Sequence, residues 1–290
     1  MNAAQIEKPT KILRKLIASK KIIIAPGVYD GMSALLAKQA GFPVLYASGG
    51  AIARSMGYPD IGLLTMTEVS AAIAHIVNVS KLPVIADADT GFGNSINVYR
   101  TVQEFERLGV AGLHLEDQTF PKRCGHLDDK SLVPTDEMCL KINVAKKCIK
   151  DSDFLIIART DAIAVEGFDN AIVRAKAYLQ AGADMIFVEA PETIEQIEKI
   201  AALIPQPKLI NMFYGGKTPL VATEKLQELG YSVAIIPSDL QRAAIKAIQR
   251  TLAVISQNGN SAEIADQMVS FKEREIIIET DRYLKIDKEI

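Results

Sequence analysis

No run of about 18 apolar residues occurs in the chain, so a membrane-spanning helix is not expected. Cysteine is scarce. Cys124, Cys139 and Cys148 make an odd number without metal-ligand spacing, which argues against a disulfide framework or zinc site and for a reducing cytoplasm. An excess of one charge is missing too. The formal net charge is -2 with acids and bases interspersed, so nothing resembles the basic stripe of a nucleic-acid binder. Positions 1–21 carry charges throughout and lack an apolar core with a cleavage site, so no signal peptide is expected. The chain has 290 residues, 49% apolar and 23% charged, enough for one large globular core.

Apolar runs rich in β-branched residues alternate with helical stretches. The runs are Ile22–Ala25, Val44–Ala47, Val84–Ala86, Gly112–Leu115, Phe154–Ala158, Met185–Val188, Lys208–Asn211 and Val233–Ile236. Their near-continuous apolar character suits parallel strands buried on both faces. Between them, the stretches 33–39, 67–79, 98–108, 169–180, 194–203 and 224–229 read as helices, most of them stopped by a glycine such as Gly41, Gly109 or Gly230. A further helix is expected ahead of the first strand, over 11–18. Eight such repeats without a long linker predict an α/β fold, a single (β/α)8 barrel (TIM barrel) over 1–290. A doubly wound open sheet is the alternative, but no glycine-rich phosphate turn follows the first strand. Residues 243–290 exceed one barrel helix and are expected to be a helical extension, packed outside the barrel or on another subunit.

Active sites of such barrels lie where the strands end, and here those ends are polar. They carry Asp30, Ser48-Gly49-Gly50, Asp87-Ala88-Asp89, Glu116-Asp117, Arg159-Thr160-Asp161, Glu189, Asn211 and Ser238. Carboxylates converging on one mouth repel unless a cation joins them. An oxygen-rich set without clustered His or Cys suits Mg²⁺ or Mn²⁺. Asp87 is expected to bind the metal directly, with Asp89, Glu116 and Asp60 holding metal-bound waters. The plainer reading makes these acids helix caps or partners of Lys and Arg; it must then hold four times over. Ser48-Gly49-Gly50 can bring backbone N–H groups to an anion, or be a tight turn. Arg159 suits a bidentate grip on a substrate carboxylate, or a structural pair with Glu189.

The loop Pro121-Lys122-Arg123-Cys124-Gly125-His126 follows the Glu116 strand and is able to close over a site. Cations around Cys124 are expected to lower its thiol pKa, although loop cysteines are more often inert. Cys139 and Cys148 read as packing residues in a helix and His75 as structural; His114, inside strand four, either points into the barrel mouth or is a satisfied core histidine, the second being favoured.

With these residues assembled, the chain resembles the isocitrate lyase and phosphoenolpyruvate mutase superfamily. The resemblance rests on Lys122-Arg123-Cys124-Gly125-His126, Ala25-Pro26-Gly27, Ser48-Gly49-Gly50, Pro59-Asp60, Asp87-Ala88-Asp89-Thr90-Gly91-Phe92-Gly93, Glu116-Asp117-Gln118, Ala158-Arg159-Thr160-Asp161-Ala162, Glu189-Ala190 and Asn211. It covers most of the chain and implies a barrel with C-terminal helices swapped between subunits, usually a homotetramer built from dimers. It implies Mg²⁺ at the acids above and makes Cys124 the acid that protonates a product carbanion. Ser48, Gly49 and Gly50 would hold the pyruvate or glyoxylate part of a substrate. Gly125, His126, Arg159, Glu189 and Asn211 would hold the other carboxylate-bearing part.

Length and Lys122-Arg123 resemble the short methylisocitrate lyases. Leu127, where those lyases generally carry Arg, and Phe213-Tyr214-Gly215 depart from them; Gly215-Gly216-Lys217-Thr218-Pro219 is similar to the broad-specificity 2,3-dimethylmalate lyase type. The substrate implied is a small 2-hydroxy di- or tricarboxylate. Its cleavage needs a base for the hydroxyl proton, with Tyr46 and a metal-linked carboxylate such as Glu116 both open. It also needs Arg159 and His126 for the carbanion's carboxylate, and Cys124 for the final proton. The rivals are a carboxyphosphonoenolpyruvate phosphonomutase or an oxaloacetate decarboxylase of the same superfamily, and a non-catalytic barrel that binds dicarboxylates.

Overall fold

The computed structural model describes residues 7–127 and 129–289. Its elements run α1 (Pro9–Ala18), β1 (Ile23–Val28), α2 (Gly31–Gln39), β2 (Leu45–Ala47), α3 (Gly49–Ser55), α4 (Met66–Ser80), β3 (Val84–Asp87), α5 (Ser95–Arg107), β4 (Gly112–Glu116), α6 (Thr135–Cys148) and β5 (Leu155–Thr160). They continue with α7 (Ile163–Glu166), α8 (Phe168–Gln180), β6 (Met185–Val188), α9 (Ile194–Leu203), β7 (Lys208–Asn211), α10 (Thr223–Glu228), β8 (Val233–Ile236), α11 (Asp239–Asn258), a 3₁₀ turn (Ala262–Gln267), α12 (Phe271–Ile277) and α13 (Thr280–Glu289). The strands close in sequence order into a parallel barrel, with β8 bonded back to β1. All eight expected strands form. The helix α3 replaces the turn read at Ser48-Gly49-Gly50, because Ser48 caps it by accepting from Ala51 N–H at 3.3 Å.

Side chains alternate along each strand, and parity decides which of them face the barrel axis. Ile23, Ala25, Tyr46, Ile85, Leu155, Ile157, Met185, Phe187, Leu209, Val233 and Ile235 form one cluster inside the barrel, together with Leu13 of α1. The other parity, as in Ala86, Leu113, Ile156, Ile186 and Ile210, joins the larger core between strands and outer helices. Two residues beyond the inner apolar positions stand Asp87 on β3, Arg159 on β5, Glu189 after β6 and Asn211 on β7. Glu116 on β4 is in register with Arg159, and His114 with Asp87. One period-2 pattern thus builds an apolar barrel interior and a polar rim.

At the opposite end, α1 is tied down by Arg14, which donates to the carbonyls of Ser152, Asp153 and Phe154 and pairs with Asp184 at 3.0 Å. Beyond the barrel, α11 to α13 leave Ile248, Leu252, Phe271, Ile276, Tyr283 and Leu284 exposed in the single chain. Among the described residues, no helix is long and apolar enough to cross a membrane.

Candidate active site

A cavity of about 290 Å³ opens at the C-terminal ends of the strands. Tyr46, Ser48, Gly50, Asp60, Asp87, Cys124, Gly125, His126, Arg159, Glu189 and Asn211 all line it. Asp87, Asp89 and Glu116 each offer an oxygen, all within 4.8 Å of one another. Both Glu116 carboxylate oxygens are buried without a hydrogen-bond partner, and Arg159 Nη1 lies 3.2 Å from Oε2. Burial holds the Glu116 carboxyl well above the ordinary range, against the pull of Arg159 and Lys122. Burial likewise pushes Asp89 up to about 6, although Lys122 opposes it. Three hard-oxygen donors held together at this electrostatic cost fit a hard divalent cation.

Asp60 stands outside that trio. It pairs with Lys122, whose ammonium also lies 2.8 Å from Asp89 Oδ1, and more loosely with Arg54 at 4.0 Å. Two glycines let α3 approach. A Cβ on Gly49 would lie 2.7 Å from Asp87 Oδ2, and one on Gly50 would lie 2.7 Å from Asp60 Oδ2.

Cys124 is largely enclosed, and its backbone N–H donates to the Asp60 carbonyl at 3.1 Å. The thiol pKa is raised, first by burial and then by Asp60. This reverses the expected lowering, for a physical reason. Lys122 is spent on Asp60 and Asp89, and the half-exposed Arg123 leans toward Asp129 at 3.8 Å. A thiol that keeps its proton is suited to donate it.

Arg159 does not pair with Glu189 directly. Its Nε and Nη2 donate to Asp161 at 2.9 and 3.1 Å. Glu189 instead lies 3.1 Å from His126 Nε2. The Lys217 N–H donates to His126 Nδ1 at 3.1 Å, which leaves the ring proton on Nε2, aimed at Glu189. Asn211 Nδ2 sits 3.3 Å from His126 Nε2 and 3.4 Å from Glu189 Oε1, and Phe213 packs edge-on to the His126 ring at 4.7 Å. Burial alone would raise Glu189, but Arg159 and His126 outweigh it and hold the carboxyl below its ordinary range.

His114 is a core histidine that contacts two cavity-lining residues, Tyr46 and Asp87. It is fully buried, with Nε2 2.9 Å from Tyr46 OH and 3.5 Å from Asp87 Oδ1. Burial, aided by Arg159, drops its pKa to about 3, so the ring is neutral. Tyr46 OH donates to Asp87 Oδ2 at 3.3 Å, and burial with the Asp87 charge pushes the phenol well above its ordinary value. Lys122, Asp161 and Phe213 were not singled out as site residues from sequence. The parity of Glu116 would have found His114, and the polar strand end and the Cys124 loop already carried Asp161 and Lys122; no local signal marks Phe213.

The chain matches the model of the phosphoenolpyruvate phosphomutase family over residues 13–256. It belongs to that family. It is 43% identical over 285 residues to the 2-methylisocitrate lyase of Aeropyrum pernix, covering 98% of this chain and 92% of that protein. With the 2,3-dimethylmalate lyase of Eubacterium barkeri it shares 44% identity over 262 residues, covering 90% and 91%. A crystal structure of a 2,3-dimethylmalate lyase superposes with a TM-score of 0.92 at 35% identity, covering 98% and 96% of the two chains. A phosphonopyruvate hydrolase crystallised with oxalate and Mg²⁺ superposes with a TM-score of 0.89 at 30% identity, covering 97% and 99%.

Proposed function

We propose that this member of the phosphoenolpyruvate phosphomutase family is a carbon–carbon lyase acting on a small 2-hydroxy di- or tricarboxylate. The two substrates to test are 2-methylisocitrate, cleaved to pyruvate and succinate, and 2,3-dimethylmalate, cleaved to pyruvate and propionate. The observation that carries the reading is one cavity whose wall joins a protonated, largely enclosed thiol to Asp87 of the three-acid cluster and to Arg159. The lyases among its relatives support the same reaction class.

Asp87, Asp89 and Glu116 would hold Mg²⁺, with Mn²⁺ an alternative and Asp60 acting through Lys122 at the edge. Such an ion would supply Lewis-acid stabilisation of the negative charge that develops on the substrate's oxygens. Ser48, Gly49 and Gly50 would seat the pyruvate-forming part. Gly125, His126, Arg159, Glu189 and Asn211 would seat the other carboxylate. A base must take the hydroxyl proton as the carbon–carbon bond breaks. Tyr46, whose phenol hydrogen-bonds Asp87, and Glu116, whose buried oxygens lack hydrogen-bond partners, are the two candidates for that base. Breaking the bond leaves an electron pair on the carbon next to the departing carboxylate, where Arg159 and His126 offset its charge. Cys124 then gives that carbon its proton.

Pyruvate release from both compounds, by wild type and by Cys124→Ser, tests the reading. Loss of a positioned acid should lower kcat by about 10²–10⁴-fold. Turnover of neither compound would sink the lyase reading, and undiminished turnover by Cys124→Ser would sink the donor role. We further infer a homotetramer in a reducing cytoplasm, with C-terminal helices exchanged between subunits. The exposed apolar faces of α11 to α13 and the three free thiols support this.

A further inference from the structure

Beneath the Cys124 loop lies a buried ion pair that no step above uses. The side chains of Lys130 and Asp161 are 1% and 0% exposed. Lys130 Nζ donates to Asp161 Oδ1 at 3.0 Å and also to the Gly125 carbonyl oxygen. Asp161 is the carboxylate that receives both Nε and Nη2 of Arg159. One carboxylate therefore connects the guanidinium of the site to the residue next to Cys124.

The connection is braced on both sides. The Asp161 N–H donates to Asp117 Oδ1 at 2.9 Å, and Asp117 Oδ2 accepts from Thr160 Oγ1 and Tyr178 OH, both at 2.7 Å. Gly125 meanwhile rests on Arg159 itself. A Cβ there would lie 2.6 Å from Arg159 Nη2 and 2.5 Å from Glu189 Oε1. The loop's own neck is closed separately, by Thr119 N–H donating to the Ser131 carbonyl at 2.8 Å and by a Gln118–Leu132 bridge. Lys130 is thus not needed to close the neck. Burying an ammonium for packing alone is unfavourable compared with an apolar side chain of similar size. Its second donor is spent on the turn that carries the thiol.

We propose that Lys130 is a positioning residue that locks the Cys124–Gly125–His126 turn onto Arg159 through Asp161. The thiol is then delivered only when the guanidinium is in its gripping orientation. The inference rests on the roles given above to Cys124 and Arg159, but the coupling itself is readable without turnover.

Lys130→Met keeps the length of the side chain and removes its donors, while Asp161 retains Arg159 as a partner. Alkylation by iodoacetamide, followed peptide by peptide by mass spectrometry, reports the turn directly, with the half-buried Cys139 as an internal reference. The expected result is alkylation of Cys124 about tenfold faster with Cys139 unchanged. Under the lyase assay, kcat should fall roughly 10²-fold while KM changes little, because misplacement of a reacting group acts on the chemical step. Lys130→Arg restores donors and should recover most of both. Equal acceleration at Cys124 and Cys139 would mean general loosening, and a wild-type Cys124 rate would mean no lock; either overturns the proposal. If Lys130→Met does not fold, Lys130→Leu, which likewise carries no donor, is read the same way. If the wild type cleaves neither substrate, the lyase reading fails while the alkylation ratio still decides this one.

Discussion

A thiol flanked by cations ordinarily ionises early, yet Cys124 keeps its proton because those cations face other acids and burial penalises the thiolate. The same accounting of neighbours governs Asp161. Burial alone would raise its pKa, but Arg159 and Lys130 outweigh it and lower the value from 3.8 to about 2. The folded value is the lower one, so the stability it contributes is complete above about pH 4 and is lost as the pH falls toward 2. Between those limits, wild type should lose roughly 2 kcal/mol relative to Asp161→Asn. Urea unfolding across that pH range measures it, and a gap between the two proteins that ignores pH would count against the assignment. Asp87 bears on the metal. Mg²⁺ at a hundredfold excess over Kd should stabilise the wild type by about 2.7 kcal/mol. Asp87→Asn should abolish most of that gain in calorimetry; an unchanged Mg²⁺ shift would place the ion elsewhere.

At the level of elements, the inner parity of the strands does two things at once. It fills the barrel with apolar side chains and then, two residues on, presents Asp87, Arg159 and Asn211 at the rim. The rim is therefore only as rigid as the packing below it. Leu13 of α1 is fully buried within that inner cluster. Leu13→Ala should cost about 2–5 kcal/mol in chemical denaturation while KM stays near the wild-type value, since α1 docks where β5 begins, at the end of the barrel away from the cavity. A loss under 1 kcal/mol would mean that α1 is only loosely docked. All eight strands and their polar ends were legible from apolar runs alone. On β4 the direction of His114 stayed open, because a buried histidine and a site histidine look alike in one dimension.

For the molecule as a whole, the single chain leaves apolar side chains bare on α11 to α13, among them Ile248, Leu252 and Phe271, the face that the proposed tetramer would cover. Charge placed on this face, as in Ile248→Asp with Leu252→Asp, should convert the proposed tetramer to smaller species in sedimentation velocity. The helical content of the barrel should be retained by circular dichroism. Sedimentation of the wild type as a monomer at micromolar concentration would remove the tetramer from the proposal.

The sequence by itself determined the strand–helix alternation, the acidic rim and the Cys loop, because each follows from local periodicity or from neighbours along the chain. Only the tertiary structure decided the pairings: Lys122 with Asp60 and Asp89, Arg159 with Asp161, and Lys130 with Gly125. Lys122 meets acids from separate segments that come together only when the barrel closes, and which way Arg159 and Lys130 turn toward near neighbours in the chain is settled by the packing around them. That closure also reversed the direction of the thiol's pKa, since desolvation belongs to the enclosed site and not to any residue in it.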